Sequence, residues 1–302
     1  MPLCDVILNS QCGSFVENET EQQLRDEFAR VGINVNIHLA AGSEVESIAS
    51  KAAGGDADIV VVGGGDGTVN TVATALRGKG KLLGILPLGT LNHFSKDLGV
   101  PQVLTDAVNV IASGMATRVD VGEVNGRLFL NNSSIGLYPR IVRRREMQQE
   151  RLGRGKWSAA LIAALQVFRV HPFYRVKFKL NDREFRRKTP FVFVGNNEYE
   201  MDFYNIGTRK RLDGGQLSIY FLHRGGRLGV MLLLFKTVLG MLRQAKEFEA
   251  ITTDEITIDT RKKAIMVALD GEVVSMQTPL SYKIRAGELR VIVPKPEAES
   301  DA

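Results

Sequence analysis

Cysteine is scarce in this chain, with only Cys4 and Cys12 in 302 residues. Two thiols cannot lay out a disulfide framework, and their spacing matches no zinc site, so reduced thiols in a cytoplasmic protein are expected. Long apolar runs are also lacking. The most apolar segment, Val230 to Leu242, is interrupted by Lys236 and is too short to span a bilayer. Met1 to Ser10 has neither the basic start nor the apolar region of a secretory signal. There is no large excess of one charge: a net +5 is mild for a nucleic-acid binder of this size, and no nucleic acid partner is expected. An apolar content of 44% with 24% charged residues is that of a soluble globular protein, and the length accommodates two domains.

The small positive excess is unevenly placed. Seven Arg and Lys residues fall between Arg140 and Lys156, against Glu146 and Glu150. This stretch reads either as a solvated helix face or as a contact for an anionic membrane surface through Arg143, Arg144, Arg145 and Arg151, with Trp157 at the interface. The segment Met231 to Leu242 reads either as a core helix or as an apolar mouth for an acyl chain.

The richest stretch is Ile59 to Asn70. An apolar run, Ile59 to Val62, has the pattern of a buried parallel strand. Gly63, Gly64 and Gly65 follow, and then Val69, Val72, Ala73 and Leu76 recur at helical spacing. A strand, a glycine turn and a helix in this order suit a phosphate. Backbone without Cβ atoms permits close approach, and the N–H groups at the helix start favour an anion. Asp66 cannot attract phosphate itself, and it makes sense there as a partner of Mg²⁺ or of water on Mg²⁺.

Around this unit the first half alternates strands and helices. Val6-Ile7-Leu8 reads as a strand, and Thr20 to Gln23 as a capping box opening a helix with Leu24, Phe28 and Val31 on its buried stripe and Gly32 at its end. Ile33 to His38 alternates as a strand with one wetter face. Ser43 with Glu46 forms a second capping box, Leu82 to Leu86 a further buried strand, Leu91 to Leu98 a short helix, and Thr105 the start of another. This order predicts a parallel sheet covered by helices, with ligands beyond the carboxyl ends of its strands, where Asn9, Asp66 and Thr90 all fall.

The pattern changes after about Asp120. Val119 to Val124 and Leu128 to Leu130 flank Asn125-Gly126, a strong hairpin signal. Further strands are expected at Arg175–Leu180, Phe191–Val194, Leu217–Leu222, Glu255–Ile258, Ile265–Leu269, Leu280–Ile284 and Leu289–Val293, with helices near 140–170 and 227–247. Asn131 to Gly136 reads as an Asn- and Ser-rich loop. The expected architecture is an α/β domain over residues 1–120 and a β-sandwich domain over 121–293, whose last strand can return to the first domain. A frayed acidic tail covers 294–302. Within the second half, Asp270 and Glu272 stand two apart. On a strand they face one way, so two carboxylates can share one site as proton acceptor.

The segment Gly64-Gly65-Asp66-Gly67-Thr68 resembles the signature shared by diacylglycerol and sphingosine kinases, NAD kinases and phosphofructokinases. Leu86-Pro87-Leu88-Gly89-Thr90-Leu91-Asn92 resembles the second motif of the lipid kinases. On the two together the chain resembles the bacterial-type diacylglycerol kinase family over nearly its whole length. The resemblance implies a three-layer nucleotide-binding domain, like that of NAD kinase and phosphofructokinase, followed by a β-sandwich. It implies ATP at Asn9, Gly13, Gly64, Gly65, Asp66, Gly67, Thr68, Asn70, Gly89, Thr90 and Asn92, and Mg²⁺ at Asp66. Asn9 and Gly13 match the family's first nucleotide loop, which here lacks its usual proline and basic residue. The family's proton acceptor lies in Asp270-Gly271-Glu272, with Glu272 or Asp270 as the base. Asp213 falls in a segment that resembles a structural Mg²⁺ site, with Gly214 where a second aspartate is expected. Asn131 to Gly136 resembles a family segment on the lipid side. The expected activity is ATP-dependent phosphorylation of a lipid hydroxyl in an interdomain cleft, on diacylglycerol, ceramide or a sphingoid base, at the inner face of a membrane. An NAD kinase-like enzyme and a nucleotide- or lipid-binding regulator are the alternatives.

Overall fold

The computed structural model describes residues 3–12, 17–136, 174–180, 183–199, 209, 211–222 and 248–296. The chain divides into two compact units. One comprises Met1–Val121, Leu212–Gly214 and Arg285–Ala302, and the other Gly122–Arg211 and Gly215–Ile284.

In the first unit the apolar runs form β1 (Leu3–Asn9), β2 (Asn34–Ala40), β3 (Ile59–Gly64) and β4 (Leu82–Pro87). Between and after them come α1 (Glu17–Arg30), α2 (Val45–Gly54), α3 (Asp66–Leu76), α4 (His93–Asp97) and α5 (Leu104–Ser113). The strands are parallel in the order β2-β1-β3-β4. Val6, Ile7, Leu8, Val60, Val61 and Val62 are fully buried, as continuous apolar strands covered on both faces must be. The chain steps from β1 to one side and later places β3 on the other. The connections after β1 and β3 therefore diverge, and such a switch point leaves a crevice beyond the strand ends.

Two capping expectations are corrected. The first helix begins at Glu17, so Thr20 lies inside it rather than at its cap. The second begins at Val45 after Glu44, with no side-chain cap. The Glu44 carboxylate instead accepts the Ala41 N–H at 2.9 Å, closing the preceding turn from within. The end of α1 is as expected. Gly32 sits at φ +74, and the Gly32 and Ile33 N–H groups return to the carbonyls of Ala29 and Phe28.

The chain then runs through β5 (Met115–Val124) into β6 (Arg127–Phe129). Asn125 and Gly126, at φ +46 and +84, make the two-residue turn that their sequence signals.

The second unit adds β7 (Asn132–Gly136), β8 (Tyr174–Leu180), β9 (Arg183–Thr189), β10 (Phe191–Asn196), β11 (Leu217–Leu222), β12 (Phe248–Thr253), β13 (Glu255–Thr260), β14 (Ala264–Leu269) and β15 (Glu272–Gln277). One antiparallel sheet runs β12-β11-β10-β7-β14-β15. In the other, β8 lies between β9 and β13. Phe129, Phe178, Ile219, Phe221, Ile256, Val267 and Tyr282 meet in one core drawn from both sheets. The Phe178 ring stacks on Phe185 and Phe221 at 5.0 and 4.9 Å. This is the expected β-sandwich.

Three features depart from the sequence expectation. Asn132–Gly136 is a central strand rather than a loop. It pairs with β10 and β14, and Ser133 and Ser134 are buried. Small hydroxyl side chains disguise the strand, and the Ser133 hydroxyl is satisfied by the phenol of Tyr282 at 3.0 Å. Burial pushes that phenol's pKa up. The strands β12 and β15 also lack a clear alternation. Finally, the two C-terminal runs are one strand, β16 (Leu280–Val293). Gly287 bends it at φ +61 and donates its N–H to Asp120 at 2.8 Å. Residues 280–283 pair with β13, and 290–291 pair in parallel with β4.

The helices expected near 140–170 and 227–247 lie outside the described residues, with the basic run Arg140–Lys156, Trp157 and the apolar segment Val230–Leu242. No helix among the described residues is long and apolar enough to cross a bilayer.

Burial on β1, with the neighbouring Asp5 adding to it, raises the Cys4 thiol from 9.0 to about 11, whereas Cys12 is half-buried. At pH 8 a thiol reagent is expected to label Cys12 in the native protein and Cys4 only after unfolding. The folded pKa is the higher one, so this thiol's contribution to stability is complete below pH 9 and declines between pH 9 and 11. Thiol counting with and without denaturant, and melts across that pH range, check both.

Candidate active site

Three loops converge at the carboxyl ends of the parallel strands. The first leaves β1 at Asn9, whose side-chain amide donates to the Thr68 hydroxyl on the first turn of α3 at 2.9 Å. The second is the glycine turn itself. Gly64 and Gly65 do not need a left-handed backbone, and Gly65 sits at φ −84 as the N-cap of α3. What Gly64 needs is space. A Cβ on Gly64 would come within 2.7 Å of the Thr68 side chain. The third loop follows β4, and a Cβ on Gly89 would fall 2.3 Å from the Gly65 Cα. The two glycine loops therefore touch backbone to backbone.

Asp66 joins the same two loops. Its carboxylate accepts the N–H groups of His93 and Phe94, at 3.2 and 3.1 Å, so the first residue of α3 caps the start of α4. Here one carboxylate satisfies two helix-terminal donors from another element. Between the loops, the first-turn N–H groups of α3 are available to a negatively charged group.

The remaining expected nucleotide residues separate by position. Thr90 is exposed on the third loop, and Gly67 and Asn70 lie half-buried on the first turns of α3. Asn92 is buried, at φ +53, and its amide donates to the Pro87 carbonyl at 3.0 Å. It shapes the third loop from beneath. Gly13 lies outside the described residues.

In the second unit, Asp270 and Gly271 are not on a strand. They form the two-residue turn between β14 and β15, at φ +46 and +93, with Leu269 opposite Glu272. The same-face argument for Asp270 and Glu272 therefore does not apply, because alternation holds only along a strand. The Asp270 carboxylate accepts the N–H groups of Leu130, Asn131 and Asn132 at 2.7, 2.8 and 3.0 Å. Glu272 is exposed at the first position of β15.

Residues not singled out as site residues hold the segment that faces Asp270. Buried Arg209 donates to the carbonyls of Leu130 and Asn196, at 2.7 and 3.0 Å, and to the Asn131 amide oxygen at 2.9 Å. The Tyr199 hydroxyl donates to the Asn131 carbonyl at 2.9 Å, and the Asn196 amide to the Leu130 carbonyl at 2.8 Å. One residue of the basic run Arg209-Lys210-Arg211 carries no sequence signal for this.

Asp213 is exposed in the first unit, beside Leu212, whose carbonyl accepts the Asp120 N–H at 2.7 Å. Among the described residues, no three His, Cys, Asp or Glu side chains are grouped as a metal site. A Mg²⁺ ion caged by protein carboxylates alone does not fit these residues. A Mg²⁺ ion that arrives on phosphates and needs one carboxylate or its water fits Asp66.

Two substitutions follow from this geometry. Gly89→Ala forces the two loops apart, with an expected loss of roughly 1–3 kcal/mol of stability and of nucleotide binding. Denaturant melts and ATP titration measure these effects. Asp270→Ala leaves three backbone donors without an acceptor and is expected to cost roughly 3 kcal/mol, with Asp270→Asn costing less because one oxygen remains. Equal stability of both variants and the native chain in urea would contradict the anchoring role.

Comparison with known proteins agrees with this layout. Residues 4–124 match the family model described as the diacylglycerol kinase catalytic domain, and residues 131–293 match the YegS C-terminal NAD kinase beta sandwich-like domain. A protein of Klebsiella pneumoniae named a probable lipid kinase, YegS-like, is 40% identical over 127 residues, which cover 41% of this chain and 42% of that protein. The diacylglycerol kinase of Bacillus subtilis is 30% identical over 130 residues, covering 42% of this chain and 43% of that one. These matches thus span less than half the length of the curated relatives. A solved diacylglycerol kinase chain from Bacillus anthracis superposes over 96% of each chain at a TM-score of 0.69 and 21% identity, which speaks for the fold. With both halves of the chain matched in order, the second alone over more than half its length, this protein belongs to the lipid kinase family that joins a diacylglycerol kinase catalytic domain to a YegS-type sandwich.

Proposed function

We propose that this chain is an ATP-dependent lipid kinase that phosphorylates the hydroxyl of a lipid such as diacylglycerol, ceramide or a sphingoid base. The observation that carries the reading is the joint held by Asp66. Two glycine loops in backbone contact and an open helix start make a cradle for a triphosphate, and a carboxylate sits at its rim. Asn9, Gly64, Gly65, Gly67, Thr68, Asn70, Gly89 and Thr90 form the nucleotide surface, with Asn92 supporting its third loop, and the family resemblance adds Gly13. Mg²⁺, when bound with the nucleotide, neutralises phosphate charge near Asp66.

In the reaction, the lipid hydroxyl oxygen forms a bond to the γ-phosphorus. The bond from that phosphorus to the β–γ bridging oxygen breaks, ADP leaves, and the hydroxyl proton passes to Glu272. The choice of Glu272 over Asp270 is supported by their surroundings. The Asp270 carboxylate is engaged by three N–H donors, whereas Glu272 is exposed, with no hydrogen bond or ion pair among the described residues. Asp270 is then the positioning residue that sets the turn carrying Glu272. Because the substrate resides in a bilayer, the enzyme works at a membrane surface, and we place it at the cytoplasmic face, in contact with anionic lipid. Among the described residues no three His, Cys, Asp or Glu side chains group at Asp213, so a Mg²⁺ ion there would draw its other ligands from carbonyls and water.

The test is transfer of labelled phosphate from ATP to a panel of diacylglycerol, ceramide, sphingoid base and, as contrast, NAD. The expected result is label in one lipid, with Glu272→Gln lowering kcat by about 10²–10⁴ and leaving ATP binding intact. Asp66→Asn should lose turnover and melt slightly lower, since it keeps one of the two acceptors. Label appearing in NAD instead would favour a dinucleotide kinase. A folded protein that binds ATP and labels no lipid would favour a regulator.

A further inference from the structure

We infer that the outer face of β8, β9 and β13 is a binding site for a compact, soluble oligophosphate anion, separate from the nucleotide cradle. This inference does not depend on the lipid kinase reading. Arg175, Lys177, Arg186, Arg187, Lys188 and Arg261 line a groove of about 590 Å³, with Asp259 as the one carboxylate of its lining. That volume falls in the range of small-molecule sites.

The register makes the arrangement costly without a ligand. Arg175 stands directly opposite Lys188, and Lys177 directly opposite Arg186. Like charges in facing cross-strand positions repel and destabilise a sheet. Compensation within the face is partial. Lys177 pairs with Glu184 and lies opposite Asp259, Lys188 is engaged as well, and Arg187, opposite buried Val176, turns off this face to pair with Glu249 of β12. Arg175, Arg186 and Arg261 are exposed, and no ion pair engages them among the described residues. Guanidinium forks at this density suit phosphate oxygens taken two at a time.

The groove's surroundings favour a soluble ligand over a bilayer. A membrane-resting surface combines basic residues with apolar side chains that enter the interface. The large hydrophobic side chains exposed among the described residues are Leu3, Leu91, Val103 and Met115, all in the first unit. None borders this groove. Among the described residues no exposed large hydrophobic side chain borders this concave basic surface, which matches a small polyanion better than a flat lipid face.

Inorganic tripolyphosphate is the probe, titrated calorimetrically into the whole chain and into an Arg175→Gln/Arg186→Gln/Lys188→Gln variant. The nucleotide cradle attracts the same anion, so the expected difference is the loss of one binding event, with at least a tenfold weaker groove affinity. The Gly89→Ala variant should keep that event. Without ligand, the triple variant should melt at the same temperature as the native chain or higher, because the facing cations are gone. Co-sedimentation with phosphatidylglycerol vesicles is the second arm. Identical tripolyphosphate isotherms for native chain and triple variant, or no tripolyphosphate binding to the native chain, overturn the proposal. So does loss of vesicle binding alone, which would make the face a membrane contact.

Discussion

Everything the first unit can do depends on one carboxylate bridging two elements. Asp66 opens α3 and at the same time closes α4. The glycine turn and the third loop cannot separate without stranding the His93 and Phe94 N–H groups. The close approach of Gly89 to the Gly65 backbone works in the same direction, since a Cβ on Gly89 would fall 2.3 Å from the Gly65 Cα. Electrostatic preorganisation of this kind requires that donors be fixed before the ligand arrives, and the cradle is fixed from two sides.

The second unit repeats the device with a different geometry. Asp270 sits in a tight turn and holds three successive N–H groups of the segment entering β7. Arg209 approaches that segment through its carbonyls and the Asn131 amide. A strand start gripped on its donors by an acid and on its acceptors by a base has little freedom to shift register. The acid that looks free for chemistry in the sequence is committed to structure, and its neighbour across Gly271 is the one that faces solvent.

How much was legible in the residues differs between the units. In the first, β1, β3 and β4 are rich in Val, Ile and Leu, and β2 alternates them with Asn and His, so the parallel sheet and the convergence of Asn9, Asp66 and Thr90 could be read directly. Only the helix starts shifted, because Thr20 and Ser43 look like caps whatever their backbone does. In the second unit the reading failed where side chains did not advertise their environment. Asn132 to Gly136 looks like a loop, since nothing local says that Tyr282 will come to bond Ser133. Arg209 was invisible because its partners, two main-chain carbonyls and the Asn131 amide oxygen, meet it only in the folded chain. Asp270-Gly271 was misassigned to a strand although Asp-Gly is a hairpin signal. The recognisable motif around it drew attention to its chemistry and away from its backbone.

The path of β16 has a consequence for how the protein comes to exist. Its far end lies along β4, and the Arg290 side chain reaches the Gly80 carbonyl 210 residues back in the chain. At ribosomal rates of about 5–20 residues per second, β4 waits roughly 10–40 s for the neighbour that covers its edge. A long apolar strand edge left open for that time invites pairing with other nascent chains. The parallel sheet of the first unit therefore stays open beside β4 until Arg290 and Val291 have been made.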